Sequence, residues 1–127
     1  GSTKWVIVGG TALNLAALVA LMLFPDSGII LATALMAAVG FFGATYAVII
    51  AHGRSFMPPQ LVGRGMTLLN LCSIGGVGVA QFLSGRVYAT SQPAVTAQAP
   101  YVMIFTLFAA LMAAGLFVYL FSRDAGE

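Results

Sequence analysis

Thr67, Asn70, Ser73 and Gln81 are the residues of this sequence whose types and spacing could do chemistry in an apolar setting. Wound as an α-helix at about 100° per residue, Thr67 falls near +60° from Asn70, Ser73 near −60°, Gln81 near +20° and Ser84 near −40°. Amides and hydroxyls on one stripe can hydrogen-bond a polar solute without carrying charge. Cys72 and the Gly76/Ala80 pair fall on the far side, where Cys72 reads as a small buried apolar residue. The same stripe also suits bonding between helices, typically worth under ~2 kcal/mol per bond. For Asn70 and Gln81 both readings stand.

The rest of the chain offers little else that reacts. It has 1 His and 1 Cys, so neither a disulfide nor a cysteine-based zinc site can be built from it. It contains no HExxH, no Ser/His/Asp set in a helix register and no phosphate-cradling loop. The Gly75–Gly76–Val77–Gly78 cluster lies inside an apolar run rather than between a strand and a helix, so it is no dinucleotide fingerprint. No enzyme, cofactor or metal is expected. No Asp, Glu, Lys or Arg falls in the middle of an apolar run, so an ion-coupling carboxylate, if any, lies outside these residues.

Composition explains the setting. Of 127 residues, 61% are hydrophobic and 6% charged, against about 25% charged in soluble domains. With a mean hydropathy of +1.04, a water-soluble fold of this size would leave a large apolar area exposed. The sequence therefore reads as an all-α integral membrane protein. A net charge of +2 without a basic run gives no nucleic-acid partner.

Four apolar runs supply the helices, over residues 5–24, 29–51, 64–88 and 101–122. The first run is 20 residues, about 30 Å as a helix and enough to cross a hydrocarbon core. It is too long for a signal-peptide core and lacks a cleavage site. Gly9, Ala12, Ala16 and Ala20 share one of its faces, and Asn14, pointing elsewhere, is expected to be interhelical glue. Pro25–Asp26–Ser27–Gly28 forms a turn with Asp26 and Ser27 as cap candidates. In the second run Thr33, Ala37, Gly40, Ala44, Ala47 and Ala51 make a small-residue face expected to meet protein, with Phe42 and Tyr46 opposite. A loop is expected over residues 52–63, where Pro58 and Pro59 stop a helix and His52 sits at the interface. The glycines of the third run suggest close packing or a bend. Residues 89–100 form a polar connection, and Arg123, Asp124, Ala125, Gly126 and Glu127 a hydrophilic tail. Gly1–Ser2–Thr3 reads as a cloning remnant or as a cut within a longer chain.

Four spans put both ends of the chain on one side. Lys4, Arg54, Arg64 and Arg123 lie there, against Arg86 and Asp26 on the other side. The positive-inside rule places both ends in the cytoplasm.

These features together resemble the end of a major facilitator superfamily transporter. The segment that carries the resemblance runs from Arg54 through Pro58–Pro59 and Gly63–Arg64–Gly65 to Asn70, Gly75–Gly76, Gln81 and Gly85, and it is similar to many bacterial members. The resemblance implies a twelve-helix protein of two six-helix halves, with these four spans as its ninth to twelfth helices. It implies a multi-pass protein of the bacterial inner membrane whose partners are the bilayer, the remaining helices of the same transporter and a small-molecule substrate. On that reading Asn70, Ser73 and Gln81, with Thr67 more weakly, line the substrate pathway. Arg54 and Arg64 then flank a cytoplasmic loop or gate, although topology alone also accounts for them. Two other readings are a non-transporting membrane anchor or assembly subunit, and a small four-helix exporter acting as a dimer. The exporter lacks support, because such proteins rely on a membrane-embedded glutamate that the first run does not have.

Overall fold

A computed structural model describes residues 2–92 and 96–123; the tail residues Asp124 to Glu127 and part of the polar connection lie outside it. Every element is helical among the described residues: α1 (Thr3–Leu23), α2 (Gly28–Gly43), α3 (Thr45–Ser55), α4 (Val62–Thr90) and α5 (Ala99–Leu120). α2 and α3 are two parts of one apolar stretch, Gly28–Ser55, so four helices are long and apolar enough to cross a membrane. Helices satisfy their own backbone groups, the condition for crossing lipid. The chain is an all-α, multi-pass membrane protein.

The spans differ from the sequence expectation at their ends and in one interior. The second span runs past Ala51 to Ser55, which puts His52 and Arg54 in the last turn of α3 rather than in a loop. The loop shrinks to residues 56–61, where Pro58 and Pro59 stop the helix. The same span, expected to be continuous, is interrupted at Ala44. Pro100 is the second residue of α5, tolerated because the first turn needs no amide donor from it. Between α1 and α2 the turn is made by Gly28 at φ +83°, a region only glycine enters without strain. Ser27 stands at the cap position of α2, but its hydroxyl makes no capping bond.

α1 is the centre of the packing. It packs most extensively against α5 and α2 and less against α3, while α4 packs mainly on α5 and α3. The core is small: Ile7, Ala17, Leu18 and Leu21 of α1 with Ala109 of α5, and the buried polar Asn14. These α1 residues share one face, and it is the one opposite the small-residue face expected to pack. Gly9, Ala12 and Ala16 are exposed. The second span repeats the inversion, for Thr33, Ala37, Gly40, Ala44, Ala47 and Ala51 are all exposed while Leu35, Val39 and Phe42 turn inward. Bulkier side chains make more dispersion contacts per helix pair, and that is what holds these four spans together. Both small-residue faces are left on the outside of the unit.

Candidate functional site

α4 is held at its two ends and open between them. Near its start, Leu69 packs on Gly53 of α3, where a Cβ would lie 3.1 Å from Leu69 Cδ1. Met57 of the loop lies over Gly65 so closely that a side chain there would collide with it. Near its end, Tyr88 and Tyr101 stack edge to face at 5.9 Å, and the Ser91 hydroxyl reaches the Met103 sulfur at 2.9 Å. No residue of α4 is buried.

The polar stripe lies on this open stretch. Thr67, Asn70 and Gln81 are exposed, while Ser73 and Ser84 are half-buried at the edge of the packed face. Each hydroxyl bonds back into its own helix: Thr67 to the Gly63 carbonyl at 3.0 Å, Ser73 to Leu69 at 2.8 Å and Ser84 to Gln81 at 3.0 Å. Such bonds satisfy a hydroxyl locally and leave little donor capacity for a neighbour. The two amides behave differently. Neither Asn70 nor Gln81 forms a side-chain hydrogen bond among the described residues, so the stripe's full donor and acceptor capacity is concentrated in them.

A groove of about 560 Å³ runs beside them, lined by Tyr46 of α3 and by Ser73, Ile74, Gly76, Val77 and Ala80 of α4. Small-molecule sites occupy roughly 300–1,000 Å³. Asn70, Ile74, Val77 and Gln81 follow one another at helical spacing, within about 60° of arc. The two amides stand about 16 Å apart along the helix; Ile74 and Val77 lie on their line, but neither amide lines the groove, whose other α4 residues, Ser73, Gly76 and Ala80, lie to one side of it. Of the expected pathway residues, Ser73 lines the groove, while Asn70, Gln81 and Thr67 do not.

Tyr46, which by position could reach a pathway although a tyrosine there is more often plain packing, lines the groove. Its signal was an aromatic facing a polar stripe on another span, and only the packing of α3 on α4 brings the two together. Cys72 is exposed rather than buried. α4 runs unbroken through Gly75, Gly76 and Gly78, which pack tightly against nothing: open space surrounds the position of each missing Cβ.

The end of the unit carrying Lys4 holds a second polar group. The Lys4 ammonium donates to the Leu120 carbonyl at 2.8 Å, a cation at the negative end of α5. His52, in the last turn of its span, is buried against protein at 6% exposure; its Nδ1 is hydrogen-bonded with the Tyr119 hydroxyl and its ring meets Phe56 edge to face. Ser55 donates back to the His52 carbonyl at 2.6 Å. Arg54 and Arg64 flank the intervening loop, both exposed and without a carboxylate partner among the described residues. No cluster of three or more His, Cys, Asp or Glu that could hold a metal occurs among the described residues.

Comparison of the chain with protein-family models, curated proteins and solved structures finds no match.

Proposed function

We propose that these four spans form the C-terminal part of a secondary transporter of the major facilitator type, moving a small polar solute by alternating access. The observation that carries the reading is the pair of unbonded amides, Asn70 and Gln81, exposed on the stretch of α4 that also carries an open groove. Helix-to-helix glue would spend those amides on a neighbouring span; here both remain available to a solute or to helices beyond this unit. In alternating access two bundles rock about a site near the bilayer midplane, and the open stretch of α4 would form part of one wall. Ser73 and Tyr46 would shape the groove, with Asn70 and Gln81 orienting the solute.

The charge distribution supports an orientation. Lys4, Arg54, Arg64 and Arg123 sit at one end of the bundle, with Arg86 near the other, so both ends of the chain would lie in the cytoplasm. Arg54 and Arg64 then border a cytoplasmic loop, and the membrane would be a bacterial inner membrane. The two outward small-residue faces support the presence of further helices around this unit, because close helix approach in lipid needs such faces. They equally suit an anchor or assembly subunit, which is the second reading.

Cysteine accessibility in the full-length gene product separates the two. In a Cys72→Ala background, single cysteines replace Asn70, Val77, Gln81 and, on the opposite side, Val79. A membrane-impermeant thiol reagent is expected to label positions 70, 77 and 81 but not 79, and a transported solute should protect them. Protection at all four positions, with or without solutes, would move the anchor reading ahead.

A further inference from the structure

Asn14 is 6% exposed, and its Oδ1 is buried without a hydrogen-bond donor among the described residues. It is the one buried polar side chain of α1 among them, in the middle of an apolar span. Its surroundings give it a task. Asn14 and Gly10, one turn apart, both face the joint between α2 and α3. Gly10 lies so close to the Thr45 side chain that a Cβ there would collide with its Oγ1, and the Asn14 amide nitrogen lies 4.0 Å from where a Cβ on Gly43 would stand.

The joint departs from regular helix without a proline, the commonest cause of such a departure. The Ala44 amide donates to Phe41 at 3.2 Å and the Ala47 amide to Ala44 at 3.1 Å. Each reaches three residues back instead of four, a local tightening of the helix. The carbonyls of Gly40 and Gly43 thereby lose the donors that a continuous helix would supply. Within a bilayer no water stands by to replace them.

We propose that the joint is imposed from α1: Gly10 is the notch that seats Thr45, and Asn14, buried beside Gly43, is a positioning residue for the joint. The arrangement sets the direction of α2 relative to α3, and the two halves have different attachments. α2 packs on α1, with a cleft of about 220 Å³ between its Ala32 and Met36 and the α5 residues Tyr101, Val102 and Phe105. α3 packs on α4 as well as α1 and is bonded to α5 through His52 and Tyr119. A half-span that follows α1 is thus joined to a half-span tied to the rest of the bundle. The proposal stands whether or not the protein transports a solute.

Oriented-bilayer solid-state NMR of the full chain, labelled with ¹⁵N, reads the tilt of each half from its amide dipolar couplings. Residues 28–43 and 45–55 should give two distinct tilts in the wild type and in Asn14→Gln, which keeps the amide. Asn14→Leu, which removes it, should merge them into one. A single tilt in the wild type, or two unchanged tilts in a folded Asn14→Leu, overturns the proposal. If Asn14→Leu does not fold, Gly10→Ala decides the matter, because it fills the notch. A changed tilt of residues 45–55 supports the assignment and an unchanged one removes it.

Discussion

α1 and α4 are both uncharged through their middles, yet they use polarity in opposite ways. α1 is the more apolar, with a hydropathy of 2.2 against 1.5, and 28% of its most apolar window is buried against none for α4. Its single mid-span amide, Asn14, points into the bundle at a helix joint. The two amides of α4, Asn70 and Gln81, are exposed on its open stretch. An amide inside lipid must find a partner or face a polar cavity. α1 encloses its amide within the four spans, where the Asn14 Oδ1 has no donor among the described residues, and α4 leaves its two amides to something outside them. The difference teaches that a polar residue in an apolar span is not one kind of signal, for its meaning depends on which neighbour shares its face.

Mutations can break this comparison. Ile7, 1% exposed in the α1 core, is expected to show the largest effect. Ile7→Ala should lower stability by about 2 kcal/mol through lost packing, measured by reversible unfolding in mixed micelles. An effect no greater than that of Leu71→Ala on exposed α4 would erase the distinction between the two helices. Tyr119→Phe removes the hydroxyl that meets His52 and should lower stability by about 1 kcal/mol. A double-mutant cycle with His52→Leu isolates that pair, and a coupling near zero would show that α3 and α5 are held together by packing alone. Lys4→Met strips the cation from the end of α5 and should lower stability by roughly 0.5 kcal/mol, less at high salt.

The smallest effect on stability sharpens the contrast most. Asn70→Leu and Gln81→Leu should each change unfolding free energy by no more than about 0.5 kcal/mol, since both side chains are exposed and make no hydrogen bond within this unit. In the full-length protein the same substitutions should abolish uptake or efflux in vesicles while leaving expression intact. A large loss of stability instead would mean that the amides bind another helix, as glue.

Much of this was legible in residue types and spacing. Runs of apolar residues as long as a bilayer is thick determine four spans, and a bilayer leaves helices as the way to satisfy their backbones. The double proline at Pro58–Pro59 ends the second span because it withdraws donors. The polar stripe of α4 follows from helical periodicity alone. Less legible was the direction each face takes. Gly9, Ala12 and Ala16 in α1, like Gly40 and Ala47 in the second span, form the small-residue faces that lipid-embedded helices use to approach one another, yet here they turn outward. A sequence shows that a face is suited to close approach without showing which neighbour arrives, and Ile7, Leu18 and Leu21 offered α5 and α2 more contact.

The chain's own residues thus determined the helices, their number, their charge asymmetry and the stripe on α4. Those properties depend on residues at most a few turns apart, where backbone geometry is nearly constant. Tertiary structure alone decided that His52 meets Tyr119, that Tyr46 closes a groove against Ser73 and Ala80, and that the second span breaks at Ala44. Each of these joins residues on different helices or, at the break, a helix and the neighbour packed beside it. Local periodicity holds no information about such distances, which packing sets through the shapes of all the helices at once.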